Sequence, residues 1–204
     1  MMRASALLRA PEGVAEVTAD ALRVLAAASI VVAGVGWGPL SGISLVIVLG
    51  AMLVPRVLGL RPAFDIAFGI VSLVAVWSSV LGIYITTRWW DLPIHFLANG
   101  LYAALCYIVL VRLGILAEAT TLPHPTVSAA VMTTALGLSL GVLWEIFEWF
   151  GHTFIDGEIY VGYQDSIGDL LFGGLGALIA GCGMRFLTGR PHVAEVRPPP
   201  PTLS

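Results

Sequence analysis

The chain has 204 residues, of which 58% are hydrophobic and 11% charged, with a mean hydropathy of +0.92. Ordinary soluble domains carry about 25% charged residues, so this composition excludes a soluble globular protein and points to a membrane one. A net charge of -3, with arginine as the only strong base, gives no footing for nucleic acid or a strongly acidic partner.

The first stretch, MMRASALLRAPEG, has the arginine and short apolar run of a signal peptide. Arg9, Pro11, Glu12, Glu16 and Asp20 interrupt it before an apolar core region forms, and no small-residue cleavage site follows. Residues 1–21 therefore read as a retained cytoplasmic arm. Residues 22–187 form the membrane domain, whose fold class is all-α, a polytopic bundle of six transmembrane helices. The apolar stretches fall at 22–38, 43–60, 66–86, 91–111, 127–149 and 166–186. Each is near the roughly 20 residues that cross about 30 Å of hydrocarbon. Turn chemistry separates them in WGPLSG, RPAFD, TTRWWDLP, TTLPHPT and the polar HTFIDGEIYVGYQD. Pro55 and Arg56 make the second stretch the least regular. Residues 188–204, ending RPHVAEVRPPPPTLS, read as a disordered proline-rich cytoplasmic tail. Cys106 and Cys182 stand apart, without metal or disulfide spacing, and read as packing residues.

With six spans and a cytoplasmic N-terminus, the inner side receives Arg3, Arg9, Arg23, Arg56, Arg61, Arg112, Arg185, Arg190 and Arg197, and the outer side receives Arg88 alone. This asymmetry fits the positive-inside rule, and an odd number of spans would scatter it. The outer fifth loop is acidic, with Asp156 and Glu158.

That orientation brings three polar segments to the outer face. Counting at about 1.5 Å per residue places His95, Glu145 and Asp169 about 24–27 Å from the inner edge, and Asp91, Glu148 and Asp165 at about 30–32 Å. Helical spacing aligns Asp91, His95, Asn99 and Ala103 on one stripe, and Asp165 and Asp169 with Gly173, Ala177 and Gly181 on another. Glu145 continues into Gly141, Gly137 and Thr133 on a third. Small residues four apart let membrane helices approach closely, so the fourth, fifth and sixth helices are expected to pack around a shared polar centre.

The upper three carboxylates read equally well as wetted helix ends, Asp165 as an N-cap worth about 1 kcal/mol. The lower tier resists that reading, because a charged carboxylate at a helix centre costs about 2.5–3.5 kcal/mol on insertion scales. Shared protons, Arg88 or a bound cation must neutralise the group. The candidate metal ligands are Asp91, His95, Glu145, Glu148, Asp165 and Asp169, with His95, Glu145 and Asp169 as candidate catalytic residues and Arg88, Asn99 and His152 in support. Trp89, Trp90, Trp144 and Trp149 fit an interfacial aromatic belt.

The segments DLPIHFLANG, WEIFEWF and GYQDSIGDLLFGGLGALIAG resemble the D-x-x-x-H, W-E-x-x-E and D-[ST]-x-x-D-L…G-A motifs of the YjdF-like family of uncharacterised bacterial inner-membrane proteins. A weaker likeness extends to VanZ-like proteins, linked to glycopeptide-antibiotic tolerance, which often have Asn where this chain has Gly173. The resemblance covers residues 88–182. It implies a multi-pass protein of the bacterial inner membrane and carries over the six polar positions, but names no reaction.

Three functions remain open from the sequence. A membrane enzyme would use the carboxylates and His95 to hold a divalent ion such as Zn²⁺ or Mn²⁺ and act on a lipid-linked or envelope substrate in the outer leaflet. His95 or a carboxylate would alternatively serve it as general base. A proton- or cation-coupled transporter would use the same groups as a relay. A lipid-binding or accessory protein would use them to tie helices together. The chain has no HExxH, no GxSxG and no dense arginine set for phosphate.

Overall fold

Proline and glycine set many of the helix ends. The computed structural model describes residues 9–157 and 159–188, and the only regular secondary structure among them is helical. Helix α1 spans Val14–Gly36, α2 Pro39–Leu58 and α3 Pro62–Val80. A short α4 (Ile83–Thr86) and a 3-10 turn (Arg88–Trp90) lead into α5 (Asp91–Arg112). Then follow α6 (Pro125–Phe154), α7 (Tyr163–Cys182) and a short α8 (Met184–Thr188). α2, α3 and α6 open on proline, whose missing N–H is one that a first turn leaves unbonded anyway. Gly59, at φ 62°, ends α2 in the left-handed conformation that glycine adopts without strain.

Six helical stretches are long and apolar enough to cross a membrane: Val14–Gly36, Pro39–Leu58, Pro62–Val80, Arg88–Arg112, Pro125–Phe154 and Tyr163–Cys182. The number agrees with the sequence reading, while several boundaries move. α1 begins at Val14 rather than 22, so residues 14–21 of the expected arm are helical. The third span ends at Val80 rather than 86, because Leu81 and Gly82 (φ 66°) turn the chain before α4. α6 continues to Phe154; its 30 residues rise about 45 Å, more than the hydrocarbon needs, so its last turns reach the interface. Residues 1–8 with Arg3, Glu158, and the tail from 189 with Arg190 and Arg197 lie outside the described residues.

The helices pack as two trios. α1, α2 and α3 contact one another, α5, α6 and α7 do the same, and α3 against α5 joins them. At that seam the rings of Phe68 and Tyr102 lie 4.6 Å apart, and the hydroxyls of Ser72 and Tyr102 are 3.1 Å apart. The second trio is closed by small residues. A β-carbon on Gly100 would lie 2.8 Å from the Gly176 carbonyl oxygen, and one on Gly176 would fall on the Phe96 carbonyl. Gly137 meets Ala177, and Gly181 meets Ala130 and Thr133. Such close backbone approach gives dispersion contact where lipid offers no hydrophobic drive.

Three is an odd number of crossings, so the second trio begins at the face opposite to the first. α1 and α3 start, and α2 ends, at one face; α5 and α7 start, and α6 ends, at the other. The first of these faces holds a polar network that the sequence reading did not foresee. Buried Arg23 donates from Nη2 to Asp65 at 2.5 and 2.6 Å, from Nη1 to Asp20 at 2.8 Å and from Nε to the Met52 carbonyl at 3.0 Å. Arg56 reaches Glu16 at 3.1 Å, Asp20 at 3.2 Å and the Arg9 carbonyl at 2.8 Å. Arg9 and Glu16 close the set at 2.6 Å. These pairings explain the early start of α1: Glu16 and Asp20 enter the helix because arginines on neighbouring segments neutralise them.

Candidate metal centre

At the opposite face the first turns of α5 and α7 and the end of α6 come together. His95 sits one turn after Asp91 on α5, so both side chains project from the same stripe. Their polar atoms meet at 3.3 Å, between His95 Nε2 and Asp91 Oδ1. Across the interface, Asp169 of α7 brings its Oδ1 to 3.9 Å from the same nitrogen. The close contact of Gly100 with Gly176 makes this convergence possible, since it holds α5 and α7 together below the site. One ligand atom from each of Asp91, His95 and Asp169 lies within 4.8 Å of the others, a spacing suited to a shared cation.

The decisive feature is the state of Asp169. It is 2% exposed, and neither carboxylate oxygen has a hydrogen-bond partner. A buried carboxylate is ordinarily paired or hydrogen-bonded, because leaving it bare costs several kcal/mol. The donor set of two carboxylates and an imidazole suits Mn²⁺, Zn²⁺ or Fe²⁺.

The other candidates surround this triad without joining it. Glu145 is partly buried, and its Oε1 is also without a partner. Glu148 accepts a hydrogen bond from Trp144 Nε1 at 2.8 Å. Thus Trp144, which the sequence assigned to an aromatic belt alone, also orients a carboxylate. Of the supporting residues, Asn99 donates from Nδ2 to the Gly137 carbonyl at 2.9 Å and ties α5 to α6 one turn below His95. Arg88 is exposed and stacks over the Tyr160 ring at 4.6 Å. His152 is exposed and donates from Nδ1 to the Ile159 carbonyl at 2.6 Å.

Tyr84 is a neighbour that the sequence reading passed over. It lies in the connection before α5 and donates to the Ala75 carbonyl at 3.0 Å. Burial, followed by the negative charge of Asp91, pushes its phenol pKa up, so the hydroxyl stays protonated as a donor. A tyrosine between Gly82 and Asp91 was the available signal. Trp90 Nε1 donates to Ser78 Oγ at 2.9 Å and anchors the same connection to α3.

No curated protein and no solved structure matches the chain. The six apolar helices and the three-segment polar motif do have a family: the chain belongs to the predicted membrane protein family DUF2238, whose model matches residues 19–189 and which includes the YjdF-like proteins.

Proposed function

We propose that the chain is a metal-dependent enzyme of the bacterial inner membrane, acting at the outer leaflet on a lipid-linked or envelope substrate. The observation that carries this reading is the bare, buried Asp169 carboxylate within ligand distance of Asp91 and His95. A divalent ion held there would polarise a substrate oxygen or lower the pKa of a bound water toward neutrality. The protein's part is to fix the ligands. The α5–α7 contact sets their separation, and Asn99 fixes α6 against α5. The site lies near the end of the bundle rather than at its middle, which suits a headgroup reached from the membrane surface. The arginine asymmetry supports placing that end outside, with both termini in the cytoplasm.

A second reading, a cation- or proton-coupled transporter, would use the same buried aspartate and histidine groups as a relay. The metal question comes first. Protein purified in mild detergent is expected to carry a divalent metal that a chelator removes, and Asp169→Asn and His95→Ala should reduce it to background. Background metal in the folded wild-type protein would overturn the proposal. Mass spectrometry of lipids from cells producing wild-type or Asp169→Asn protein then separates the readings. An enzyme predicts a lipid species that accumulates only with the variant, whereas unchanged lipids with metal bound favour transport.

A further inference from the structure

A single ion leaves part of the site unexplained. Bound by one atom each of Asp91, His95 and Asp169, it would satisfy the Asp169 oxygen that faces His95. Asp169 Oδ2 and Glu145 Oε1 would remain, both buried and both without a hydrogen bond. The charges disagree in the same way. Asp91, Glu145, Glu148, Asp165 and Asp169 together exceed the charge of one divalent ion. Arg88 is the one arginine at this face among the described residues, and it is exposed and stacked on Tyr160. Trp144 offers Glu148 a neutral hydrogen bond and no charge.

We infer that the centre takes two divalent cations, with Asp169 bridging them through its two oxygens and Glu145 as the principal further ligand of the second ion. This rests on the metal reading above and deepens it. Glu148 and Asp165, nearer the helix ends, complete the second ion's surroundings. Two divalent ions balance four of the five carboxylate charges. Oxygen-rich ligation with one imidazole favours hard ions, and Mn²⁺ is the suitable probe. Paired ions in such centres stand about 3.5–4 Å apart, the separation that one bridging carboxylate supports.

The test is equilibrium dialysis of the full chain in detergent against Mn²⁺, with electron paramagnetic resonance of the washed protein. Wild-type protein should retain two ions per chain with an exchange-coupled spectrum, and Glu145→Gln should retain one with the spectrum of an isolated ion. Retention of that one ion also shows that the variant is folded. One isolated ion in wild-type protein would overturn the second site and leave the metal reading intact. No ion would overturn both. A coupled pair that persists in Glu145→Gln would overturn the role of Glu145. If Glu145→Gln fails to fold, the wild-type stoichiometry and spectrum decide the question.

Discussion

The two ends of the bundle bury charge in opposite ways. Where α1 and α3 begin, Arg23 and Arg56 lie among Asp20, Asp65 and Glu16, and each carboxylate has a guanidinium within 3.2 Å. Among the buried side-chain atoms described there, only Arg56 Nε lacks a partner. Where α5 and α7 begin, carboxylates gather around one imidazole, and three of their oxygens are buried and unpaired. The first arrangement is helix glue, complete as the chain folds. The second lacks its counter-charge, which must arrive as protons or as a cation. Because both ends occur in one molecule, one serves as an internal control for the other.

The comparison fails entirely if the two ends share one side of the membrane. Reporter fusions at Pro62 and His124 should read cytoplasmic, and those at Ser41, Arg88 and Gly157 external. An external reading at His124 would remove the six-span alternation on which the assignment of faces depends.

Stability should then separate the ends sharply. Arg23→Met strands Asp65 and removes the Nε bond to the Met52 carbonyl, so it should cost about 3–5 kcal/mol, the range for breaking one side of a buried ion pair. Pairing it with Asp65→Leu should recover much of that loss, since an apolar pair is often as stable as a buried ionic one. At the other end, Asp169→Asn in metal-free protein should be neutral or stabilising, because it removes an uncompensated charge. Thermal unfolding in detergent with a chelator present measures both. Equal destabilisation by Arg23→Met and Asp169→Asn would make the carboxylate end structural too.

These differences bear on what the sequence could disclose. Six helices were legible because apolar length is a strong signal, and the D-x-x-x-H and W-E-x-x-E spacings placed His95 with Asp91 and Glu145 with Glu148 on shared helix faces. The arginine network was not legible. It depends on Arg23, Asp65 and Arg56 meeting from three different helices, and spacing within a helix says nothing about such a meeting. The count of arginines by side treated Arg23 and Arg56 as interfacial charges, whereas both are buried. The ranking of the six ligands was only partly legible. Depth separated Asp169 from Asp165 but grouped Glu145 with His95 and Asp169, whereas Asp91, one turn above His95, is the carboxylate that meets them.

A smaller effect is expected from the contact that shapes the site. In Gly176→Ala the new methyl group would fall on the Phe96 carbonyl, forcing α7 away from α5. Overpacking of this kind costs about 1–3 kcal/mol. It should also weaken metal binding, because Asp169 is carried on the displaced helix. Gly50→Ala, with nothing within 4 Å of the added carbon, is the control and should leave both properties unchanged or slightly raise stability. Unaltered metal affinity in a destabilised Gly176→Ala protein would show that the α5–α7 separation does not set the site.

The mildest test concerns Asn99, the neutral polar tie at the carboxylate end. Its Nδ2 bonds to the Gly137 carbonyl at 2.9 Å, and a β-carbon at position 173 would lie 2.5 Å from that nitrogen, so Gly173 is what leaves room for it. Asn99→Ala removes one hydrogen bond from an interface that small-residue packing already holds, for a loss of about 1 kcal/mol. The ion count should stay at its wild-type value while affinity falls several-fold, since Asn99 orients α6 relative to His95 without touching the ion. Loss of the ion together with a near-normal melting temperature would reverse the assignment. Asn99 would then be a ligand, and the polar centre would extend a full turn deeper into the bundle than Asp169 and His95 place it.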